Sequence, residues 1–147
     1  MALTQSTEVA AQASLGILGD TRYGKTVPML IPFNITIPAS PGTGPAPQIC
    51  SVPAGFKPRL VFFSTNGLSA SAAVGLNCRI GDSGDDDRLM ADVDSDAATS
   101  SINLAAAGYD YEYTADTSIV LTMTSGKTPV AAQKLSGFIV GSVRMAT

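Results

Sequence analysis

The sequence predicts a single all-β domain, a β-sandwich of immunoglobulin-like or jelly-roll type. Three observations predict it: apolar residues recur at every second position in several segments, turn-forming clusters separate those segments, and no stretch carries an apolar stripe of period 3.6. At 147 residues the chain has a common size for one hydrophobic core. Only 14% of it is charged against 45% hydrophobic, which excludes disorder throughout and leaves much apolar surface to be covered, internally or by partners.

The first 22 residues are rich in Ala, Ser, Thr and Gln and weakly patterned, so they are expected to form an extended N-terminal arm on a β domain spanning 23–147. The string Gly19 to Thr26 satisfies the phosphate-loop pattern G-x-x-x-x-G-K-[ST]. That loop works only when a helix follows, because the helix N-terminus supplies the amides and the dipole. Here Val27, Pro28, Met29, Leu30, Ile31 and Pro32 follow, and two prolines four residues apart prevent a helix. The match therefore reads as a turn in a β protein.

Phe33, Ile35 and Ile37 alternate with polar neighbours and predict a half-buried strand. Pro38 to Pro47 is a Pro/Gly-rich loop. Leu60 to Phe63, Ile119 to Met123, and Phe138 to Val140 running on toward Val143 are apolar on both faces, which suits central strands or strands covered by a neighbouring subunit. Asn66-Gly67 predicts a chain reversal after the first of these runs. Further alternating strands are predicted over Val74, Leu76, Cys78 and Ile80 and over Tyr109, Tyr111 and Tyr113.

Chemical motifs reduce to structural ones. Gly81-Asp82-Ser83-Gly84 is similar to the nucleophile segment of chymotrypsin-like proteases, but the chain holds no histidine and no usual triad can form. A dyad of Ser83 with Lys25, Lys127 or Lys134 has no spacing behind it. The aspartates from Asp82 to Asp96 read as a solvated acidic turn, with a calcium site as the alternative. The segment opening at Asp92 departs from an EF-hand loop, with Ala97 where glycine is needed and Asn103 where glutamate is needed. The three tyrosines read as packed rings with hydroxyls on polar partners rather than as a sugar platform. Cys50 and Cys78, distant in sequence and without histidine, read as buried free thiols. No catalytic residue, metal site or cofactor is expected. Nor is a nucleic acid, since nine Lys and Arg are scattered through a chain of net charge -3. A membrane is not expected either, because no apolar run is long enough to span one.

The blocks from Cys78 to Met90 and from Tyr113 to Thr122, with Gly137 to Val140 beyond, resemble segments of small structural proteins encoded among the head genes of tailed bacteriophages. The resemblance covers the chain from about residue 74 onward and rests on turn-and-strand patterns. It implies a capsid decoration, or cement, protein: a virion component made in the host cytoplasm, often a homotrimer, that sits on the capsid exterior and ties neighbouring major capsid protein subunits together. No contact residue comes with the resemblance. On physical grounds alone the arm's apolar residues Leu3, Val9, Leu15, Ile17 and Leu18 are the candidate capsid contacts. A tail, collar or fibre-attachment module and a calcium- or sugar-binding β-sandwich are the alternatives.

Overall fold

Period-two alternation gives each apolar run one buried sheet face, and a run apolar on both faces belongs in the middle of a sheet. The computed structural model describes residues 26–36, 47–68, 77–95, 97–124 and 133–144. Among these are eight strands: β1 (Thr26–Thr36), β2 (Gln48–Val52), β3 (Phe56–Asn66), β4 (Asn77–Gly81), β5 (Met90–Asp94), β6 (Ala98–Asn103), β7 (Thr117–Thr124) and β8 (Lys134–Arg144). They build two four-stranded antiparallel sheets, sheet A in the order β1-β8-β3-β6 and sheet B in the order β2-β7-β4-β5. The pairs β1–β8, β2–β7, β3–β6 and β4–β5 nest inside one another. The chain is thus one long hairpin with its tip at the β4–β5 turn, rolled so that successive pairs fall in opposite sheets. This is jelly-roll connectivity, and it decides between the two sandwich types that the sequence left open.

All three two-faced runs are central. Leu60 to Phe63 lie on β3 between β8 and β6, Ile119 to Met123 on β7 between β2 and β4, and Phe138 to Val140 on β8 between β1 and β3. Their inward residues, among them Val61, Phe63, Ile119, Leu121 and Ile139, are buried between the sheets. Each such side chain contributes about 1.5–3 kcal/mol by leaving water. The alternation on β3 changes phase at Arg59, where the ladder to β8 slips between Pro58 and Leu60. Phe56 and Pro58 point inward before this bulge, and Val61, Phe63 and Thr65 after it, which turns Leu60 and Phe62 outward.

β8 carries glycines at the two inward positions where rings from other strands cross it. A Cβ on Gly137 would lie 2.6 Å from Phe33 Cζ and collide with the Phe62 carbonyl oxygen. One on Gly141 would lie 2.5 Å from Phe56 Cζ. Phe33 and Phe56 fill the space that side chains on β8 would otherwise take, which is why the middle of sheet A tolerates two residues without side chains.

Two expectations need correction. Tyr109, Tyr111 and Tyr113 are not on a strand: Ala106–Gly108 form one turn of 3-10 helix, and 109–113 run irregularly with Asp110 at φ 59°. A left-handed residue destroys period-two alternation, so the tyrosine pattern has a different cause, described below. The acidic stretch is a turn only up to Arg88, because Asp92 and Asp94 stand on β5, the free edge of sheet B. Asn66-Gly67 does end β3, and Gly67 takes φ 98°. The connection beyond it, residues 69–76, lies outside the described residues, and β4 is in the other sheet. The predicted strand residues Ile37, Val74 and Leu76 lie outside the described residues.

Replacing Gly137 with Val is expected to lower stability by about 3 kcal/mol, at the upper end of overpacking costs, because the clash includes backbone that cannot rotate away. Urea unfolding of the variant against wild type measures it, and an unchanged midpoint would contradict the ring-over-glycine packing.

Candidate functional site

Two features stand out once the strands are placed, a buried polar network at the tip of the rolled hairpin and an apolar patch on the outer face of sheet A. The network centres on Asp82, which follows β4 and is 5% exposed. Its Oδ1 accepts from the backbone N–H of Gly84 at 2.8 Å and of Asp85 at 3.1 Å, forming a tight turn. Its Oδ2 accepts from Arg88 Nε at 2.6 Å and from the Tyr113 hydroxyl at 3.2 Å. Burial opposes the charge, but the hydrogen bond from Arg88, those from Gly84 and Tyr113, and the guanidinium charge outweigh it and hold the carboxyl below its ordinary range. Arg88 in turn lies 3.8 Å above the Tyr111 ring, and Tyr111 packs edge-on against Tyr113 at 4.9 Å.

The tyrosine alternation therefore reflects a shared anchor. Tyr111 and Tyr113 converge on the Arg88–Asp82 pair, while Tyr109 points away and is 64% exposed. Burial, then the charge of Asp82, raise the Tyr113 hydroxyl well above its usual range, so it acts as a donor only. The segment is tied to β3 by hydrogen bonds from Tyr113 N to Phe56 O and from Gly55 N to Tyr113 O, with ion pairs Lys57–Glu112 at 3.1 Å and Arg59–Asp110 at 3.6 Å.

Ser83 sits exposed in this turn, and its neighbour Asp82 has its oxygens committed to structural donors. Of the candidate lysines, Lys134 is on β8 in the other sheet, and Lys25 and Lys127 lie outside the described residues. Only Thr26 of the phosphate-loop match is described; it opens β1, an extended edge strand in place of the helix such a loop requires. Cys50 and Cys78 are free thiols, pushed by burial to about 11 and about 12, so neither is a thiolate at neutral pH. Asp85, Asp86 and Asp87 bring carboxylate oxygens within 4.8 Å of one another, and among the described residues no other group of potential ligands does so. Asp86 is also 3.2 Å from Arg79 Nε. A hydrogen bond with Asp85 raises the Asp87 carboxyl above its ordinary range.

The second feature emerges from the register. On the outer face of sheet A, Leu30, Val140 and Leu60 form one cross-strand row, and Pro32, Phe138, Phe62 and Ile102 form the next. The Phe62 and Phe138 rings stack at 5.1 Å. A polar row, Asn34, Ser136, Ser64 and Ser100, borders them. The outer side of sheet B is different: Arg79 stands opposite Thr122 there and pairs with Asp86 and, at 3.7 Å, with Asp92. The two outer surfaces thus differ: sheet A carries an apolar patch, with Lys57 and Arg59 held at one end of the sheet by Glu112 and Asp110, and sheet B carries a charged cluster around Arg79. Leu60 and Phe62 were legible as two-faced, but Leu30 beside prolines and Ile102 alone in a polar strand carried no periodic signal. The arm residues Leu3, Val9, Leu15, Ile17 and Leu18 lie outside the described residues.

No family model and no curated protein matches the chain. Its fold is shared with chains in solved structures of phage capsids. A chain in the capsid of Ralstonia phage GP4 superposes with TM-score 0.68 at 16% identity, over 82% of this chain and 86% of that one. A chain of the cyanophage Pam1 capsid asymmetric unit gives 0.64 at 13% identity over 82% and 87%, and one in the acidic stable capsid of Helicobacter pylori bacteriophage KHP30 gives 0.56 at 14% over 82% and 93%. At these identities the likeness is one of fold.

Asp82→Asn keeps an acceptor for the turn amides but leaves Arg88 only the more distant carboxylate of Asp85, at 3.8 Å, as countercharge, and is expected to cost about 3 kcal/mol, as for a broken buried pair. Because the native carboxyl is depressed, its contribution is full above the ordinary carboxylate range and is lost as pH falls through the depressed native value. Acid titration of stability should therefore be shallower in the variant, while Ser83→Ala should change nothing. Replacing Asp85, Asp86 and Asp87 together with Asn should leave the thermal midpoint nearly unchanged in chelator, as partly exposed, solvent-screened pairs contribute little. A calcium-dependent rise of the wild-type midpoint that the triple variant lacks would establish a metal site there.

Proposed function

We propose that the chain is a structural protein of a phage virion that binds the exterior of the assembled capsid lattice and stabilises it, with the major capsid protein as its partner and a homotrimer as its working form. The observation that carries this reading is the eight-stranded jelly roll, shared over 82% of the chain with chains from three phage capsids. The two-sided surface supports it. An acidic molecule with an apolar patch on one outer sheet face is suited to sit in an assembly, and its buried Asp82 is engaged in holding a turn.

In this reading attachment runs through the N-terminal arm, residues 1–22, with Leu3, Val9, Leu15, Ile17 and Leu18 as its apolar anchors. Ordering such an arm costs about 1–2 kcal/mol per residue of backbone, which anchors must offset. On a lattice the contacts of several copies combine, so modest anchors give durable attachment.

Purified protein added to undecorated phage heads is expected to bind saturably at fixed lattice positions visible by electron microscopy. The form lacking residues 1–22 should keep its β-rich circular dichroism and lose that binding. Full occupancy by the truncated form would move attachment to the sandwich, and localisation of the full chain to the tail would overturn the capsid reading.

A further inference from the structure

Alternation along β1 puts Val27, Met29, Ile31, Phe33 and Ile35 on one side, the inner face of sheet A, where Phe33 is buried and Ile31 and Ile35 pack against the core. Their register partners agree. Val27 stands beside Val143, which packs on the core, and Met29 beside Gly141, where the Phe56 ring crosses. Yet Val27 and Met29 are 44% and 38% exposed. The inner face of β1 is therefore covered from Ile31 to Ile35 and left in water at Val27 and Met29. On this side sheet B supplies β2, five residues long against the eleven of β1. We propose that the segment just before β1 turns back within the same molecule and lays Leu15 and Ile17 over Val27 and Met29, closing this corner of the core.

The ends of the described strands select the occupant. The pair Thr26–Arg144 marks this end of sheet A, and residues 1–25 and 145–147 adjoin it. Residues 37–46, 69–76 and 125–132 adjoin Thr36, the end of β3 and the start of β8, all at the far end of the sheet. Residues 145–147 offer one large apolar side chain, Met145, whereas the N-terminal stretch offers Leu15 and Ile17. These two have the same spacing as Val27 and Met29, so an extended segment shows both on one side.

The connection is suited to a reversal. Gly19, Asp20 and Gly24 are turn-forming residues between Ile17 and Thr26. Residues 19–25 can span up to about 23 Å, and Met29 lies about 10 Å along β1 from Thr26, so Leu15 and Ile17 are within reach. A short link holds the segment at an effective concentration on the order of millimolar, which favours it over a second copy in dilute solution. Pro28 has no N–H to donate, so the contact is side-chain packing rather than an added ladder. Leu3 and Val9 remain for the attachment proposed above, on which this contact does not depend.

The test uses the full chain. Leu15→Ser with Ile17→Ser should lower the folding equilibrium constant about tenfold in urea unfolding, as expected when aliphatic burial is lost. The same pair of changes made on top of Val27→Ser and Met29→Ser should have little further effect, because their partners are already gone. Met145→Ala should leave the midpoint where it is. The chain has no tryptophan, so Ile17→Trp adds a single reporter. Its emission should be blue-shifted at every protein concentration and should move to the red when Val27 and Met29 are both replaced by Ser. An unchanged midpoint for the Leu15 and Ile17 variant, fully additive effects in the fourfold variant, a midpoint lowered by Met145→Ala instead, or emission typical of water would overturn the proposal. A blue shift that grows with protein concentration would give the corner to a second copy and overturn the intramolecular contact.

Discussion

The carboxylate of Asp82 is the interaction on which the architecture turns. A jelly roll is a hairpin rolled on itself, so its tip, the β4–β5 turn, must be held in one geometry while the sheets close around it. Burying a charge there is costly unless donors replace the lost water. Asp82 receives two backbone amides, a guanidinium and a phenol, which both shape the turn and carry it across to the β6–β7 connection through Tyr113. Since Tyr113 is hydrogen-bonded to Phe56 and Gly55, the tip of sheet B is fastened to the start of β3 in sheet A. One ionised group thereby joins the two layers at a place where apolar packing alone sets no direction.

That fastening determines what sheet A can present. The segment 109–113 is held beside the first half of β3, where β6 has already ended, and the bulge at Arg59 changes which residues face out at the same point. Arg59 and Lys57 are drawn to Asp110 and Glu112, which keeps their charges at one end of the sheet. Leu60 and Phe62 are left to join Val140 and Phe138 in uncharged rows. The polar network and the apolar face are therefore consequences of the same local geometry, although they serve different purposes.

The legible parts of the fold were those where one physical signal dominates. Leu60 to Phe63, Ile119 to Met123 and Phe138 to Val140 were readable as central strands because no other environment accepts apolar side chains on both faces. β2 and β6 carried too little pattern: Gln48 to Val52 is short, bulged and next to a Pro-rich loop, and Ala98 to Asn103 is mostly small and polar. β6 is a strand because Val61 to Asn66 offer it a ladder, a tertiary cause invisible in its own residues. Tyr109 to Tyr113 misled for the opposite reason. The spacing of Tyr111 and Tyr113 was real, but it was set by the Asp82–Arg88 pair, 31 residues before Tyr113 in the case of Asp82, and alternation alone cannot tell a pleat from a shared anchor.

The same reasoning separates what the two sheets are for. An outward side chain costs a strand's ladder nothing, so the two outer faces can differ in chemistry while both inner faces are apolar. On sheet B the outer positions carry Arg79 among Asp86 and Asp92, a hydrated surface that resists association with another acidic molecule. On sheet A the corresponding positions hold two stacked phenylalanines and aliphatic neighbours, whose hydration is unfavourable by about 25 cal/mol for each Å² left exposed. Exposed apolar patches of this kind are characteristic of interaction surfaces, and β1, which opens at Thr26, borders this one.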